Sequence, residues 1–407
     1  MKSVISFINK GLTLLLMGLM VSMTVFGQQI TSLTSAAKFS DGLSKISVGS
    51  KFGFIDVNGI QMVPCAFDYS NDFYKGYAIV RIGGKYTIIN NKGVPVSDFK
   101  YDYIENFSEG MALVRKDNKY GFINTKGEEA IPAKFDFAMS FSEGMASVTV
   151  DGKAGFISKT GSFKIEPQYE FAIPFSEGLS AVMKDKKFGY IDKKGTVVID
   201  FKYEMASAFT GSLASVKENG KTGIINTQNK LVVDFKYDNI TAFDNQVAVF
   251  TAGNTFGLIN AQGKEIKSEV EYIEEASEGL YAFKSNKMWG YMNAKGEVVV
   301  APRFEKAGGF SEGMAVVGLN KKFGYINTRG EVVIAIAYDK ASDFSSGLAV
   351  VKTANEFKYL DKAANERFDF LIEKKSAQPV NNGNNQNGKN TLEVNVLASS
   401  SNDVPDK

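Results

Sequence analysis

Histidine does not occur in the sequence, and cysteine occurs once, at Cys65. Without an imidazole the chain cannot assemble a Ser-His-Asp hydrolase site or the common histidine-containing zinc sites. A single cysteine cannot form a disulfide within the chain. We interpret Cys65 as a small buried apolar residue and not as a reactive thiol, because an unpaired cysteine is usually buried.

The chain also lacks an excess of either charge. It carries 47 Lys and Arg residues against 45 Asp and Glu residues, a net charge of +2 over 407 residues. No basic field therefore favours a nucleic-acid partner. Glycine is abundant, with 39 residues, and so are the aromatic residues, with 17 Tyr and 32 Phe. This combination is typical of turns and strands and not of helices.

The first 27 residues are predicted to be a secretory signal peptide. Lys2 and Lys10 supply its positive charge, and an apolar run over 12–26 follows. Small residues at the −3 and −1 positions predict cleavage before Gln28. A retained membrane anchor is the alternative, but the run is too short to span a bilayer comfortably. We therefore expect an exported protein without a membrane span, in the periplasm, at the cell surface or outside the cell.

Most of the remaining sequence repeats itself with a period of 34 residues. Three glycine positions recur together: one after an aromatic residue, one in FSEG-like turns and one in Asn/Asp-x-x-Gly turns. Ten copies between residues 39 and 375 keep this register, which predicts a repeat architecture. Thr87 and Lys358 replace the first glycine in two degenerate copies. The glycines of this first series are Gly53, Gly121, Gly155, Gly189, Gly223, Gly257, Gly290 and Gly324.

Each copy is predicted to be β throughout, with three strands. In the third copy, strands over 111–115 and 120–124 are followed by a short strand that ends before Pro132, because proline cannot donate to a ladder. Short glycine-bearing turns predict antiparallel hairpins. Residues 28–38 are interpreted as a polar leader, and residues 376–407 as a flexible Asn- and Gly-rich tail.

An acidic residue stands near the end of every copy. The lysine two positions before the first-series glycine is an obvious partner, but exposed ion pairs typically contribute under ~1 kcal/mol. We hypothesise instead that the carboxylate accepts backbone N–H bonds in the following turn. A glycosidase needs one special carboxylate pair, whereas here every copy has the same acid. No catalytic residue, metal site or cofactor is predicted. The structural acids are Asp68, Asp102, Asp136, Glu170, Glu204, Asp238, Glu305 and Asp339.

The aromatic residues before the first-series glycines form a row that invites a sugar-binding interpretation. We interpret the row as core instead, because an aromatic side chain packs over the next unit and the glycine leaves room for a close backbone. Trp289, the only tryptophan, is the candidate ligand contact if any of these rings is exposed. The copies over 209–309 are the most irregular, so a specific site is expected there.

The segments FSEGMALV, KYGFIN and KMWGYMNAKGEVVVAPRFE resemble WG (KWG-type) β-repeats, and the resemblance covers residues 39–375. It implies a repeat array with a binding or scaffold role, and it implies no catalytic residues.

The expected fold is therefore all-β, with ten tandem hairpin-based repeats in an open curved solenoid. A closed propeller-like ring is the alternative, but propellers usually have four to eight blades of 40 or more residues. The expected function is non-enzymatic: an exported scaffold that binds a protein partner through its extended surface. A glycan-binding module of the cell envelope or extracellular space is the alternative.

Overall fold

The computed structural model describes residues 30–373, so the predicted signal peptide and tail lie outside the described residues. These residues form forty β-strands, and no helix occurs among them. No segment in this part of the chain is a helix with the length and apolarity needed to cross a membrane. The all-β prediction is confirmed.

The strands form ten consecutive sheets, which we call blades 1 to 10 in chain order. Strands within a blade pair antiparallel, and β1 alone pairs parallel, with β40. Blade 1 comprises β2 (Ser35–Ser40), β3 (Leu43–Val48), β4 (Lys51–Asp56) and β5 (Gln61–Phe67). Blade 2 comprises β6 (Tyr69–Ser70), β7 (Tyr77–Ile82) and β8 (Lys85–Asn90). Blade 3 comprises β9 (Tyr103–Ile104), β10 (Met111–Lys116), β11 (Lys119–Asn124) and β12 (Glu129–Phe135). Blade 4 comprises β13 (Phe137–Ala138), β14 (Met145–Val150), β15 (Lys153–Ser158) and β16 (Phe163–Tyr169). Blade 5 comprises β17 (Phe171–Ala172), β18 (Leu179–Lys184), β19 (Lys187–Asp192) and β20 (Val197–Tyr203). Blade 6 comprises β21 (Met205–Ala206), β22 (Leu213–Glu218), β23 (Lys221–Asn226) and β24 (Leu231–Tyr237). Blade 7 comprises β25 (Asn239–Ile240), β26 (Val247–Ala252), β27 (Thr255–Asn260) and β28 (Glu265–Val270). Blade 8 comprises β29 (Tyr272–Ile273), β30 (Leu280–Ser285), β31 (Met288–Asn293) and β32 (Val298–Phe304). Blade 9 comprises β33 (Lys306–Ser311), β34 (Met314–Leu319), β35 (Lys322–Asn327) and β36 (Val332–Tyr338). Blade 10 comprises β37 (Lys340–Ala341), β38 (Leu348–Lys352), β39 (Glu356–Asp361) and β40 (Glu366–Ile372), and β1 (Ser32–Leu33) pairs with its last strand.

Two-residue turns explain why the strands form hairpins. Between β10 and β11, Asp117 and Asn118 adopt φ values of 51° and 62°. In the FSEG turn before β10, Glu109 and Gly110 adopt 52° and 80°. Two successive residues with positive φ define a type I′ turn, whose twist matches that of the flanking strands. Asn, Asp and Gly tolerate this conformation best, which accounts for their recurrence at these positions.

Most blades contain four strands, whereas the sequence predicted three. The extra strand is short: Phe137 and Ala138 pair with Thr149 and Val148 of the next repeat. The predicted end before Pro132 is also wrong, because β12 continues through this proline to Phe135. Proline is tolerated in β12 because the strand is at the sheet edge and bulges at this point.

The first-series glycines allow this bulge. Three residues of β11, from Tyr120 to Phe122, lie opposite five residues of β12, from Ile131 to Phe135. A Cβ atom added at Gly121 would lie only 2.6 Å from the carbonyl oxygen of Ile131. The fourth strand therefore passes directly over the glycine, and a side chain has no room.

The two degenerate copies show what happens without this glycine. In blade 2, Thr87 Oγ1 donates a hydrogen bond to the carbonyl oxygen of Ser97 at 2.8 Å, and the blade has only three strands. In blade 10, Lys358 pairs directly with Asp369 and the strand stays in register at that position. The bulge at this position thus occurs only in the blades that carry the glycine.

Neighbouring blades are joined by a recurring pair of aromatic rings. Phe122, fully buried on β11, contacts Phe141 of the next FSEG turn with ring centroids 4.8 Å apart. Edge-to-face contacts of this kind add to the stabilisation from burial. The same pair recurs at 4.6–5.0 Å in Phe54–Phe73, Phe156–Phe175, Tyr190–Phe209, Tyr291–Phe310 and Tyr325–Phe344.

The FSEG turns also bond to one another from blade to blade. Ser142 Oγ donates to the carbonyl oxygen of Phe175 at 2.7 Å, and Glu143 Oε2 accepts the N–H of Gly178 at 3.0 Å. The acid of this turn therefore has a structural partner one repeat further along the chain. Equivalent carboxylate bonds join Asp41 to Gly76, Glu109 to Gly144, Glu278 to Gly313 and Glu312 to Gly347.

The chain closes on itself, so the predicted open solenoid is wrong. The ten blades are arranged in a ring, a β-propeller, in which blade 10 contacts blade 1 through an aromatic ring pair like the one found at six of the internal junctions. The centroids of Tyr359 and Phe39 lie 5.5 Å apart, and the Tyr359 hydroxyl shares a 2.8 Å hydrogen bond with Ser44 Oγ. Closure buries the end faces of the first and last repeats, which an open array would leave exposed to solvent.

The N-terminal segment completes this junction. Ser32 and Leu33, which lie in the segment interpreted as a leader, pair in parallel with Leu371 and Ile372 of β40. Leu33 is fully buried. Cys65 lies half-buried against the same apolar cluster, and burial raises the pKa of its thiol.

The acids at the repeat ends lie between two blades. Asp136 accepts a 2.5 Å bond from the Lys119 ammonium of its own blade and a 2.8 Å bond from the N–H of Asp151 in the next blade. The N–H of Asp151 belongs to the hairpin turn between β14 and β15, which are the second and third strands of blade 4. Comparable backbone bonds are Asp68 to Gly83, Asp102 to Asp117, Glu170 to Lys186, Glu204 to Asn219, Asp238 to Gly253 and Glu305 to Asn320. Asp339 pairs with Lys322 at 2.5 Å.

These contacts predict acid sensitivity. The lysine bond, followed by the backbone N–H bond, holds the pKa of Asp68, Asp102, Asp136 and Asp238 below the usual carboxyl range. The unfolded chain therefore binds protons before the folded ring does, so stability is lost as the pH falls through about 4 and continues to fall below it. We expect the urea midpoint to decrease between pH 5 and pH 3, and to decrease less in Asp136→Asn. A midpoint that does not change over this range would contradict the proposed role of the acids.

Candidate functional site

The short first strand of a blade lies on the inner wall of the ring, where the FSEG turns of neighbouring blades adjoin. Eight of the ten first strands are only two residues long. The leading residue of each is partly or largely open to solvent, so it is available to a ligand. Along blades 2 to 6 these residues are apolar or aromatic: Tyr69, Tyr103, Phe137, Phe171 and Met205.

Two adjoining cavities follow this aromatic arc across blades 2 to 4. The first encloses about 520 Å³ and the second about 390 Å³, and both are lined by Tyr103, Glu105 and Ser140. We call the pair the inner trough. Its volume is that of a small-molecule or oligomer site. Its lining includes the side chains of Tyr69, Lys75, Tyr86, Tyr103, Glu105, Arg115, Tyr120, Phe137 and Ser140.

On blade 2 the trough wall is formed by Tyr69 and Tyr86, and Arg81 lies between them in a cross-strand row. The β-ladder places these three residues directly opposite one another. The Arg81 guanidinium carbon lies 5.7 Å from the centroid of the Tyr69 ring and 5.5 Å from that of Tyr86. Cation–π contact therefore holds both rings in position.

Blade 3 repeats this row with Tyr103, Arg115 and Tyr120, which are again in direct register. Tyr120 also contacts Phe137 of blade 4, with ring centroids 5.6 Å apart. The Nε atom of Arg115 is buried and has no hydrogen-bond partner among residues 30–373. This Nε atom is not open to the trough, so donation from Arg115 to a ligand would use the other nitrogens of the guanidinium.

Glu105 is the carboxylate of the trough. Its Oε2 accepts a 2.6 Å bond from Ser140 Oγ, and its Oε1 accepts a 3.2 Å bond from the Tyr103 hydroxyl. Burial raises the pKa of Tyr103 and of Tyr69, so both hydroxyls stay protonated at neutral pH. The trough thus presents exposed ring faces together with fixed donors and an acceptor.

The structure places the sequence-predicted residues elsewhere. The first-series glycines and the structural acids lie at strand bulges and blade junctions, as described above. Trp289 is half-buried on blade 8, with its ring 5.7 Å from that of Tyr272 and the Lys284 ammonium 6.0 Å from its centroid. A third cavity, of about 210 Å³, lies between blades 6 and 7, within the copies where a site was expected.

Sequence analysis missed Tyr69, Tyr103 and the two arginines, whereas Tyr86 and Tyr120 belong to the aromatic row for which a sugar-binding role was considered. Tyr69, Arg81 and Tyr86 are 12 and 5 residues apart, and only the ladder register aligns them. Aligning the ten copies by column would have supplied the signal, because the Tyr–Arg–Tyr combination occurs in these columns on blades 2 and 3 only. The aromatic residues of the predicted core row are half-buried at Tyr86 and Tyr120.

The lining of the trough contributes one carboxylate, Glu105, whereas glycoside hydrolysis uses two. Within residues 30–373 no group of three or more Cys, Asp or Glu side chains is placed to hold a metal ion.

Comparison with known proteins gives a consistent family. Nine successive segments match the model of the WG-containing repeat, at residues 52–86, 86–120, 120–153, 155–188, 188–221, 223–255, 256–289, 289–323 and 323–356. No curated protein matches the chain.

Several solved structures are similar in fold at low identity. A eukaryotic initiation factor matches at 10% identity and a TM-score of 0.47, over 85% of this chain and 98% of that chain. Hsv2p of Kluyveromyces lactis matches at 10% identity and a TM-score of 0.33, over 64% of this chain and 97% of that chain. The extracellular domain of a one-component system of B. thetaiotaomicron matches at 8% identity and a TM-score of 0.30, over 83% of this chain and 58% of that chain.

Proposed function

Since the chain belongs to the WG-repeat family and its repeats close into one ring, we propose that it is an exported, non-enzymatic scaffold that binds a glycan in the inner trough. The observation that carries this proposal is the set of exposed rings on the inner wall. Tyr69 and Tyr103 are each 41% exposed and Phe137 is 40% exposed, on three consecutive blades. Large aromatic side chains left open in a cavity favour a ligand with flat apolar faces and polar edges, as sugars have.

Export rests on the N-terminal sequence. The charged and apolar segment over 1–27 has the organisation of a signal peptide. A glycan ligand fits this destination, because envelope and extracellular polysaccharides lie where an exported scaffold would meet them. The sequence leaves the periplasm, the cell surface and the medium open as locations.

The absence of a catalytic role is supported by the chemistry of the trough. Glu105 is engaged by the Tyr103 and Ser140 hydroxyls, and the other charged groups that line the trough are the Lys75 ammonium and the Arg115 guanidinium. A binding site needs only that these groups hold the ligand, whereas hydrolysis needs a second carboxylate to act as base or nucleophile.

The test compares binding with and without the rings. The wild-type protein, the double variant Tyr69→Ala/Tyr103→Ala and the matched variant Met205→Ala are immobilised and exposed separately to polysaccharide and protein fractions of the cell envelope. We expect wild type and Met205→Ala to retain polysaccharide, and the double variant to lose most of it, because each deleted ring removes about 1–2 kcal/mol of contact. Met205 is the control because it occupies the same column on blade 6 and is also exposed.

Polysaccharide retention that the double variant keeps would contradict a role for the trough. If no variant retains polysaccharide, the glycan proposal is wrong.

A protein partner, which the sequence favoured, is the second candidate. The outer strands of several blades carry adjacent exposed apolar residues, Val197 and Val198 on β20 and Val298 and Val299 on β32. A partner strand could add to such an edge and cover these side chains. Retention of one protein by all three variants above would favour this outer surface over the trough.

A further inference from the structure

Resting on the proposed function, we infer that the trough binds two consecutive units of an uncharged repeating glycan, one unit against each Tyr–Arg–Tyr row. The two rows are Tyr69–Arg81–Tyr86 on blade 2 and Tyr103–Arg115–Tyr120 on blade 3, in identical ladder register. They are therefore equivalent subsites related by one blade step. A polymer with a repeating unit is the ligand that uses equivalent neighbouring subsites.

Packing does not require two of the three side chains in each row. The neighbouring columns of the same strands are buried and nearly constant in character, as in Ala112, Val114 and Phe122. The first and second columns of the rows vary freely, from Ser35–Ser47 on blade 1 to Lys340–Lys352 on blade 10. The third column is aromatic in most blades and packs against the core, as Tyr86 and Tyr120 do. The duplication of Tyr and Arg in the two variable columns on blades 2 and 3 therefore calls for another explanation.

The polar groups of the trough indicate hydroxyl groups on the ligand. Glu105 accepts hydrogen bonds, while the Arg115 guanidinium, which lines the second cavity, is a donor. A sugar hydroxyl both donates and accepts, so it can bridge such a pair. An acidic sugar would meet Glu105, and a cationic ligand would meet Lys75 and Arg115, which line the same two cavities. An uncharged glycan avoids both repulsions.

A peptide fits the trough less well. The first strands along its wall are two residues long, at Tyr69–Ser70 and Tyr103–Ile104. Peptides bound by strand addition gain affinity from a run of main-chain hydrogen bonds, and a two-residue edge offers few of them. Stacking on rings needs no such edge.

The test is a chain-length series with defined probes. Cello-, xylo-, manno- and malto-oligosaccharides of one to six units are titrated calorimetrically into the purified mature protein, with polygalacturonate oligomers as the acidic arm. We expect one neutral series to bind, with the Kd falling at least about tenfold from the monosaccharide to the disaccharide, and little further gain beyond the trisaccharide.

Single-row variants locate the two units. Tyr69→Ala and Tyr103→Ala should each raise the disaccharide Kd to about that of the monosaccharide, because one row remains. Tyr103→Phe should retain the stacking and most of the affinity, and Met205→Ala should change nothing. Urea midpoints of all variants show that the ring is folded.

Three results would overturn the inference. They are a neutral series that binds without dependence on chain length, binding by polygalacturonate alone, and no saturation by any neutral series at millimolar concentration. Loss of the inference does not remove the proposed function, since envelope polysaccharide captured in a Tyr69- and Tyr103-dependent manner would still place a glycan in the trough.

Discussion

Replacing Tyr359 with alanine lowers the free energy of unfolding by about 3–5 kcal/mol, the usual cost of deleting a fully buried aromatic ring. Tyr359 is 0% exposed, contacts Phe39 at 5.5 Å and shares a hydrogen bond with Ser44, so it joins the last blade to the first. In an open array the same residue would lie at a free end and would bury far less area. Equilibrium unfolding in urea at pH 7 measures the difference.

Tyr325→Ala is the matched control. Tyr325 has the same position on blade 9, is also 0% exposed and contacts Phe344 at 5.0 Å, with its hydroxyl donating to the carbonyl oxygen of Ser342. Equal losses in the two variants indicate that the closing junction is as well formed as an internal one. A loss at Tyr359 that is a small fraction of the loss at Tyr325 would argue that the ring is open in solution.

Gly121→Ala is expected to destabilise the ring by about 1–3 kcal/mol, although it adds a single methyl group. The added Cβ would lie 2.6 Å from both the Ile131 carbonyl oxygen and the Ala133 nitrogen. Both atoms belong to the backbone of the bulged fourth strand, so no side-chain rotation relieves the clash. The strand must move away from the glycine or lose its bulge. The shift in the urea midpoint reports the cost.

Gly308→Ala separates this clash from the general effect of replacing a strand glycine. An added Cβ at Gly308 would have its nearest neighbour, the Val316 carbonyl oxygen, at 3.7 Å, which is an ordinary contact. We expect a change within about 0.5 kcal/mol for this variant. Comparable losses at Gly121 and Gly308 would show that the bulge geometry is not what requires glycine.

Local features of the fold could be predicted from the sequence because local interactions control them. The hairpin turns follow from residues such as Asn118 and Gly110, which tolerate positive φ. The 34-residue period sets the length of each unit and follows from counting glycines. The resemblance of the repeats to the WG family was confirmed by the match of nine segments.

The fourth strand could not be predicted in the same way. Phe137 and Ala138 are too short a segment to show any periodicity, and they become a strand only by pairing with Thr149 and Val148 of the following repeat. A pairing across the repeat boundary is invisible when each copy is considered separately. The extension of β12 through Pro132 was missed for a related reason, since the bulge over Gly121 makes the proline acceptable.

Prediction of the trough residues would have required the register of the β-strands. Tyr103, Arg115 and Tyr120 have no recognisable spacing along the chain, and they meet because three antiparallel strands place them side by side. Their exposure depends on the inner position of the first strand. The aromatic row was predicted to lie in the core. Tyr120 contacts the Phe137 ring, and both side chains line the trough.

The sequence by itself determined the β class, the ten units and their turns, because these depend on residues close together in the chain. Only the tertiary structure decided between an open and a closed array. That choice depends on the small rotation from each blade to the next, which no single repeat encodes. Summed over ten blades, the rotation brings Tyr359 against Phe39, and the burial of that last junction makes the ring the stable form.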